Sequence, residues 1–474
     1  MRSNADSHFS EKERIMKMIR IANGQGFWGD SILGPVRLVR EGPIDYLTLD
    51  YLAEVTMSIM QKLKQRNPEA GYATDFVEML ERLLPELQEK KIKVVANAGG
   101  INPVACRKAV AKVIKKLREQ NKLKSAPIRI GVVAGDDILP TLDQMMQSGE
   151  SFRNMDTGEP LSTIRSRVLS ANVYIGIEPI VEALKQGADI VIVGRCTDPS
   201  LVLGPMVYEF GWSMSDLDKL ASGTIAGHIA ECGPQCNGGN FTDWRLIPNL
   251  SNIGYPVVEA YPDGHFVLTK HDHTGGLVNK ATVSSQLVYE MGDPKRYLTP
   301  DVIADFTSIQ MEEIGPDRLK ISGIRGYEKP ETLKVSISYL NGYKTSGQLT
   351  ISGPDALEKA KLCTQIIFDR LKMDHCEFKS EQITVEYLGT AVCHAGIAKM
   401  PKDLPEVVLR IGVKDQNEDK VDRFGKEIAP LVTSGPPGVT GFSGGRPKAT
   451  EIVGYWPALV SRKHIQIRVS VEEA

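Results

Sequence analysis

What this chain lacks narrows its class before any motif is read. It has no excess of charge of one sign: 57 Lys and Arg stand against 59 Asp and Glu, a formal charge of −2. No basic footprint serves a phosphate backbone or an anionic membrane surface, so neither nucleic acid nor membrane is an expected partner. Long apolar runs are absent as well. The longest, Ile190 to Val193 with its neighbours, falls far short of the roughly 20 residues that span a bilayer. The opening stretch, MRSNADSHFSEKERIMKMIR, carries charges where a secretion signal needs an apolar segment. Cysteines number seven, odd and scattered over 474 residues, which argues against a disulfide framework and for a reducing compartment. No repeat, low-complexity tract or coiled-coil pattern is found. A cytoplasmic soluble protein is the expectation, its 42% apolar and 24% charged residues being ordinary for globular chains.

Short apolar runs are what the first half has in number. MIRIANGQG, KVVANAGG, IRIGVVAGDD, VLSANVYIG and DIVIVGRCTD read as strands, with helical patterns at 75–90, 104–119 and 178–187 between them. Near-continuous β-branched runs joined by helices predict a mostly parallel sheet covered on both faces. Each run ends in Gly, Asn, Asp or Arg, so polar groups gather at the edge where open α/β sheets bind ligands. From about residue 251 the rhythm changes. PVVEAYPDGHFVLTKH and TLKVSISYLNGYKTSGQLTISG carry Pro-Asp-Gly and Asn-Gly hairpin signals. EVVLRIGVKDQ reads as a further strand, and helical stretches are expected at 355–372 and 419–431. The expected fold is α/β: a Rossmann-like, mostly parallel domain over 16–250, followed by an α+β domain over 251–474.

The densest chemistry lies in GHIAECGPQCNGGNFTDW, 227–244. On a helix, His228 and Cys232 share one face, and Glu231 lies on the same side. Acid, base and thiol therefore converge just before a glycine break. Three readings stand: a Cys232 thiol activated by His228, a buried cysteine, or a metal site. The metal reading takes His228, Cys232 and Cys236 with His271 or His273, and meets an obstacle in Gly233-Pro234, which should end the helix.

Other motifs sit at strand ends. GQGFWG (24–29) satisfies G-x-G-x-x-G, but Phe27 and Trp28 are bulky for a phosphate turn and Asp30 repels a pyrophosphate. A tight loop contacting some ligand or the second domain is favoured there. Asp45 and Asp50 sit where a ribose contact would be sought. NAGGINP (97–103) offers Asn97 and the Gly99-Gly100 amides to an anion, with Pro103 opening a helix. VAGDDI (133–138) and GRCTDPS (194–200) bring Asp136, Arg195 and Asp198 to the same crevice, as an ion pair or as a grip on a carboxylate or phosphate. Thr274, Gly275 and Gly276 of KHDHTGG make another anion-friendly turn. GFSGG (441–445) formally fits a serine-hydrolase elbow, but a strand follows it where a helix is required.

Taken in order, these motifs resemble the acyclic terpene utilisation protein A (AtuA) family. The likeness runs through GFWGDS (26–31), DYLAEVTMSIM (50–60), NAGGINP, SANVYIGIEPIVEALKQGADIVIVGR (170–195) and GHIAECGPQ (227–235). It continues in TGGLVNKATVSSQLVYEMGDPKRYLTPDV (274–302), KVSISYLNGY (334–343) and SGPPGVTGFSGGRP (434–447). The resemblance implies a cytosolic role in catabolism of acyclic terpenoids or related branched acids. By position Gly29, Asp30, Asn97, Gly99, Gly100, Arg195, Asp198, Gln235, Thr274, Gly275 and Gly276 match the family's pattern, and they are the expected ligand-binding residues. His228, Glu231 and Cys232 match it too and are the expected catalytic ones. Cys236, His271 and His273 depart from the family's pattern. A small ferredoxin-fold-like partner protein is implied, and a homo-oligomer is expected; the sequence names no cofactor. The leading expectation is a lyase or hydro-lyase acting on a small carboxylate or acyl-CoA, with His228 or Glu231 as general acid or base and Cys232 as nucleophile or second acid. A non-catalytic ligand-binding or scaffolding subunit, and a nucleotide-dependent oxidoreductase, are its rivals.

Overall fold

The computed structural model describes residues 18–394, 396–399, 404–441 and 445–474. The charged opening stretch up to residue 17, and Ser443 of GFSGG, lie outside the described residues. The first half supplies β1 (Ile19–Asn23), β2 (Tyr46–Leu49), β3 (Lys93–Ala96), β4 (Arg129–Ala134), β5 (Val168–Val173) and β6 (Ile190–Val193). There follow β7 (Val257–Ala260), β8 (Phe266–Thr269), β9 (Tyr297–Leu298), β10 (Ile303–Asp305), β11 (Gln310–Gly315), β12 (Arg318–Ser322) and β13 (Arg325–Tyr327). The remainder are β14 (Thr332–Ser352), β15 (Ile383–Leu388), β16 (Glu406–Asp415), β17 (Val439–Thr440), β18 (Thr450–Ser461) and β19 (Arg468–Glu473).

Ten strands form one mixed sheet in the order β11-β12-β8-β7-β1-β2-β3-β6-β4-β19. The run β1-β2-β3-β6-β4 is parallel, while β7 and β19 flank it antiparallel. This is not the 3-2-1-4-5-6 order of the dinucleotide folds. Both faces of the sheet are apolar because its strands alternate between two cores. Ile190 and Ile192 join the core built with helices Leu33–Glu41, Thr74–Lys90 and Pro103–Glu119. Val191 and Val193 join the one built with helices Glu178–Lys185, Ser200–Phe210, Leu217–Ala230 and Lys280–Leu287. The start of helix Pro103–Glu119 is written locally: Asn102 Oδ1 accepts from the Ala105 amide at 3.4 Å and Pro103 occupies the first turn.

Two expectations of pairing are corrected. VLSANVYIG does not extend the parallel sheet: β5 pairs with β14, and β6 fills the slot between β3 and β4. Its polar residues explain the departure, since Ser170 meets the Ser338 hydroxyl at 2.6 Å and Asn172 donates to Asp136 at 3.0 Å. TLKVSISYLNGYKTSGQLTIS is not a hairpin but one strand of 21 residues. At the Asn-Gly step Gly342 takes φ +91, with the Asp415 carbonyl against the place of a Cβ. The ladder with β16 begins at Tyr343–Asp415, so strand pairing wins over the turn signal. PVVEAYPDGHFVLT does fold back, as β7 and β8.

Two compact units result. One takes the chain through Ser338 and resumes at Tyr455–Ala474; the other is Tyr339–Gly454. The latter is α+β: β15, β16 and β17 with the outer part of β14 bury one face under helices Ala356–Met373 and Glu418–Gly425. The second helix stops short of the expected 431, because Gly425 lies against the Pro447 carbonyl and Pro430 follows. Among the described residues no helix is long and apolar enough to cross a membrane.

Candidate functional site

Parallel strands deliver one polar residue each to a common edge: Asn23 at the end of β1, Asp50 after β2, Asn97 after β3, Asp136 after β4 and Arg195 after β6. These groups are buried, and buried polar groups must satisfy one another. Asn97 donates through Nδ2 to Asp50 Oδ1 at 2.6 Å and accepts from the Tyr51 amide at 2.7 Å. Asp50 Oδ1 also takes the Leu52 amide at 3.2 Å. Burial holds the Asp50 carboxyl well above the usual carboxylate range, and the negative charges of Asp198 and Glu231 add to this. Arg195 and Asn97 pull the other way without prevailing.

Arg195 donates through Nη1 to the Leu52 carbonyl at 2.7 Å and to Asp198 Oδ1 at 2.8 Å. Its guanidinium lies 4.2 Å from the centre of the Tyr174 ring. Its backbone amide donates to Asp136 Oδ2 at 2.8 Å. Gly194 precedes it because Asp136 fills the space of a Cβ. Burial raises Asp136 to about 6 despite these hydrogen bonds.

Helix Leu217–Ala230 brings in the acid–base pair. It is buried on all sides from Leu220 to Ala230, so it reads as an interior helix rather than an amphipathic one. Gly227 lets its last turn lie on Pro199: a Cβ there would be 2.6 Å from the Pro199 carbonyl oxygen. The helix end is held by Asn23, whose Nδ2 donates to the Ala230 and Glu231 carbonyls at 2.8 and 3.0 Å. Gln286 Nε2 donates to the His228 carbonyl at 3.1 Å. His228 is 1% exposed, and its Nδ1 is 3.1 Å from Glu231 Oε1. The Tyr297 hydroxyl is 3.5 Å from the same nitrogen, and the Tyr297 and Phe306 rings meet the imidazole edge-on at 5.3 Å. Burial alone would depress the imidazole; the Glu231 charge and hydrogen bond, with the nearby Gln286 and Leu287 carbonyls, outweigh it and raise it. Four atoms here are buried with no hydrogen bond of normal geometry among the described residues: His228 Nε2, Glu231 Oε2, Gln286 Oε1 and Thr224 Oγ1. Such groups call for an explanation, because each left unpaired costs about 1–3 kcal/mol.

Cys232 does not gain the expected activation. Burial, with the Glu231 charge, pushes its thiol up to about 12. The imidazole's hydrogen bond goes to Glu231 instead. A protonated thiol is a poor nucleophile, so Cys232→Ser is expected to leave turnover within about threefold of wild type. Steady-state kinetics on the two proteins checks this, and a loss as deep as that from a Glu231 change would restore the nucleophile.

The other anticipated residues fall outside this cluster or serve the chain itself. Gly26 packs on Cys232, where a Cβ would lie 2.9 Å from the carbonyl carbon, so GQGFWG is a loop seated on the Cys232–Gly233 peptide. Asp30 serves that loop, accepting from the Gly26 amide at 3.0 Å and the Tyr255 hydroxyl at 3.1 Å. Gly29, at φ +96, faces open space. The diglycine amides point inward: Gly99 to Val193, Gly100 to Asn97, Gly275 to Asn252 and Gly276 to Pro248. Neither turn therefore presents a free cradle for an anion. Thr274 donates to the His271 carbonyl at 2.6 Å, and the Gln235 amide donates to the Cys232 carbonyl at 3.4 Å. His271 is packed under Gly42, and Cys236 is buried with its thiol toward the Gly233 carbonyl at 3.5 Å. Among the described residues no three His, Cys, Asp or Glu side chains converge so as to hold a metal ion.

Sequence reading missed Asn23, Gln286, Tyr297 and Phe306, and took Asp50 only for a ribose contact. Asn23 and Asp50 had a signal, being the first polar residues after apolar strands. Gln286, Tyr297 and Phe306 had none, since only tertiary packing brings them to His228. A family model described as acyclic terpene utilisation family protein AtuA matches residues 19–471. No curated protein matches the chain.

Proposed function

Since the chain belongs to the AtuA family, matched over residues 19–471, we propose that this cluster is the active site of a lyase or hydro-lyase. Its substrate would be a small carboxylate or acyl-CoA from acyclic terpenoid or related branched-acid catabolism. The observation that carries the proposal is the pair of buried His228 and largely buried Glu231, 3.1 Å apart, with His228 Nε2 and Glu231 Oε2 both lacking a hydrogen bond of normal geometry among the described residues. A base and an acid held side by side are what eliminating or adding water across a C–C bond requires.

In the elimination direction, Glu231 Oε2 takes the proton from the carbon beside the carbonyl. The electron pair forms the double bond as the C–O bond to the hydroxyl breaks. The leaving oxygen takes a proton from His228 and departs as water. An imidazole raised by its carboxylate partner suits the donor role. Asp50, whose carboxyl burial holds well above the usual carboxylate range, lies within the field of Glu231 at the same sheet edge. Arg195, shared with Asp198, offsets the charge of an anionic substrate. We read the parallel core as Rossmann-like in use, with chemistry outside the carboxyl ends of its strands. GQGFWG gives no support to nucleotide-dependent oxidoreduction, because its Gly26 is pressed onto the Cys232 backbone.

The test is turnover by the purified full chain. It would be offered 3-hydroxyacyl and 2-enoyl thioesters and the matching free acids, with native mass spectrometry of co-purified ligand alongside. Water loss or gain on at least one substrate is expected. A ligand that binds these residues without ever being converted would make the protein a binding or scaffolding subunit instead.

A further inference from the structure

A cavity of about 580 Å³ opens at the carboxyl end of β4 and is also lined by residues just before and within β19. Its size falls in the range of small-molecule sites. Gly135, at φ +116, has the Gln466 carbonyl where a Cβ would stand, so the end of β4 bends around this space without a side chain filling it. Beside Ile138 and Met145, the lining carries the polar groups of Asp137, Thr141, Gln144, Gln466 and Arg468. His464 lines it too, but its Nε2 is taken by Glu150 at 3.2 Å. Arg468 forms no ion pair among the described residues.

Adjacent carboxylates divide the work. Asp136 turns to the Arg195 amide, while Asp137 lines the cavity with Oδ1 accepting the Leu139 amide at 3.1 Å. A half-buried carboxylate can take the hydroxyl hydrogens of a ribose, and an arginine lining the same cavity can take a phosphate. Thr141, Gln144 and Gln466 supply further donors and acceptors. We propose that this cavity binds the phosphorylated ribose of a nucleotide-like ligand, with Asp137 on the ribose hydroxyls and Arg468 on the phosphate. The cavity's lining includes neither His228 nor Glu231, and the proposal does not depend on the reaction proposed for them.

The two sources of such a group are the handle of a carrier thioester and a free nucleotide. Calorimetric titration of the full chain with coenzyme A, 3′,5′-ADP, AMP, ribose 5-phosphate and inorganic phosphate separates them. Saturable binding of the compounds that hold both ribose and phosphate is expected. Arg468→Gln and Asp137→Asn should each weaken it about tenfold, and His228→Asn should leave it unchanged. Binding of coenzyme A and 3′,5′-ADP without AMP identifies a carrier handle; equal binding of AMP identifies a free nucleotide. The proposal is overturned if no ribose phosphate binds, if inorganic phosphate binds as tightly as they do, or if both variants bind like wild type. Gln144→Ala, a change of one cavity-lining amide, serves if either charge variant fails to fold.

Discussion

Turnover is expected to fall by about 100- to 10,000-fold when Glu231 becomes glutamine, with the fold intact. The amide keeps the shape of the side chain but cannot accept the substrate proton. It also removes the charge that raises His228, so burial, the strongest influence on that imidazole, is less opposed. His228→Asn should lose a similar factor, and the double variant little more, because the two act as one unit. Steady-state kinetics with matched circular dichroism makes the comparison. Undiminished turnover in both single variants would leave the pair without a catalytic role.

The same pair has a signature in stability. In the wild type the folded protein holds the His228 proton more tightly than the unfolded chain does. Its stabilising contribution is therefore fully present below the ordinary imidazole value of about 6.5, and is lost as pH rises through the raised value. In Glu231→Gln that charge is gone and burial is opposed only by the Gln286 and Leu287 carbonyls, so this stabilisation at low pH should shrink. Melting temperatures taken across neutral pH for the two proteins should diverge in that direction.

Gly227→Ala should destabilise the larger unit by about 1–3 kcal/mol or more, because the new methyl meets backbone rather than a yielding side chain. The Pro199 carbonyl oxygen would be 2.6 Å away, and Pro199 follows Asp198, the partner of Arg195. Relief can come only by shifting the last helical turn, which carries His228, or the loop that carries Asp198. Activity should thus fall with stability. Gly292→Ala, with nothing within 4 Å of its new methyl, is the matched control and should be neutral. Thermal melts of the three proteins decide it, and a Gly227 variant that melts like wild type would show that the contact gives way easily.

Much of this site could be read in the sequence wherever local chemistry governs. Polar residues closing apolar strands located Asn97, Asp136 and Arg195, and the spacing of GHIAEC put His228 and Glu231 together. Asn102-Pro103 announced its own helix. Reading failed where a local signal had to compete with tertiary pairing. Asn341-Gly342 would turn a free hairpin, yet β16 offers the strand a continuous partner. Ser170 and Asn172 sent β5 away from a sheet whose other parallel strands it resembles. The diglycines looked like open amides until Val193, Asn97, Asn252 and Pro248 took them. What surrounds His228 from residues 286–306 is a product of packing over long separations, and no window of the chain contains it.

The antiparallel seam between β4 and β19 has an implication for how the molecule is made. Arg129 and Glu473 meet across it from 344 positions apart. While the ribosome is still working toward residue 468, one margin of the ten-stranded sheet must wait with its amides and carbonyls unmet. Such late closure is slow and leaves a sticky border exposed during synthesis. Losing a handful of residues from this strand would thus harm yield far more than their number suggests.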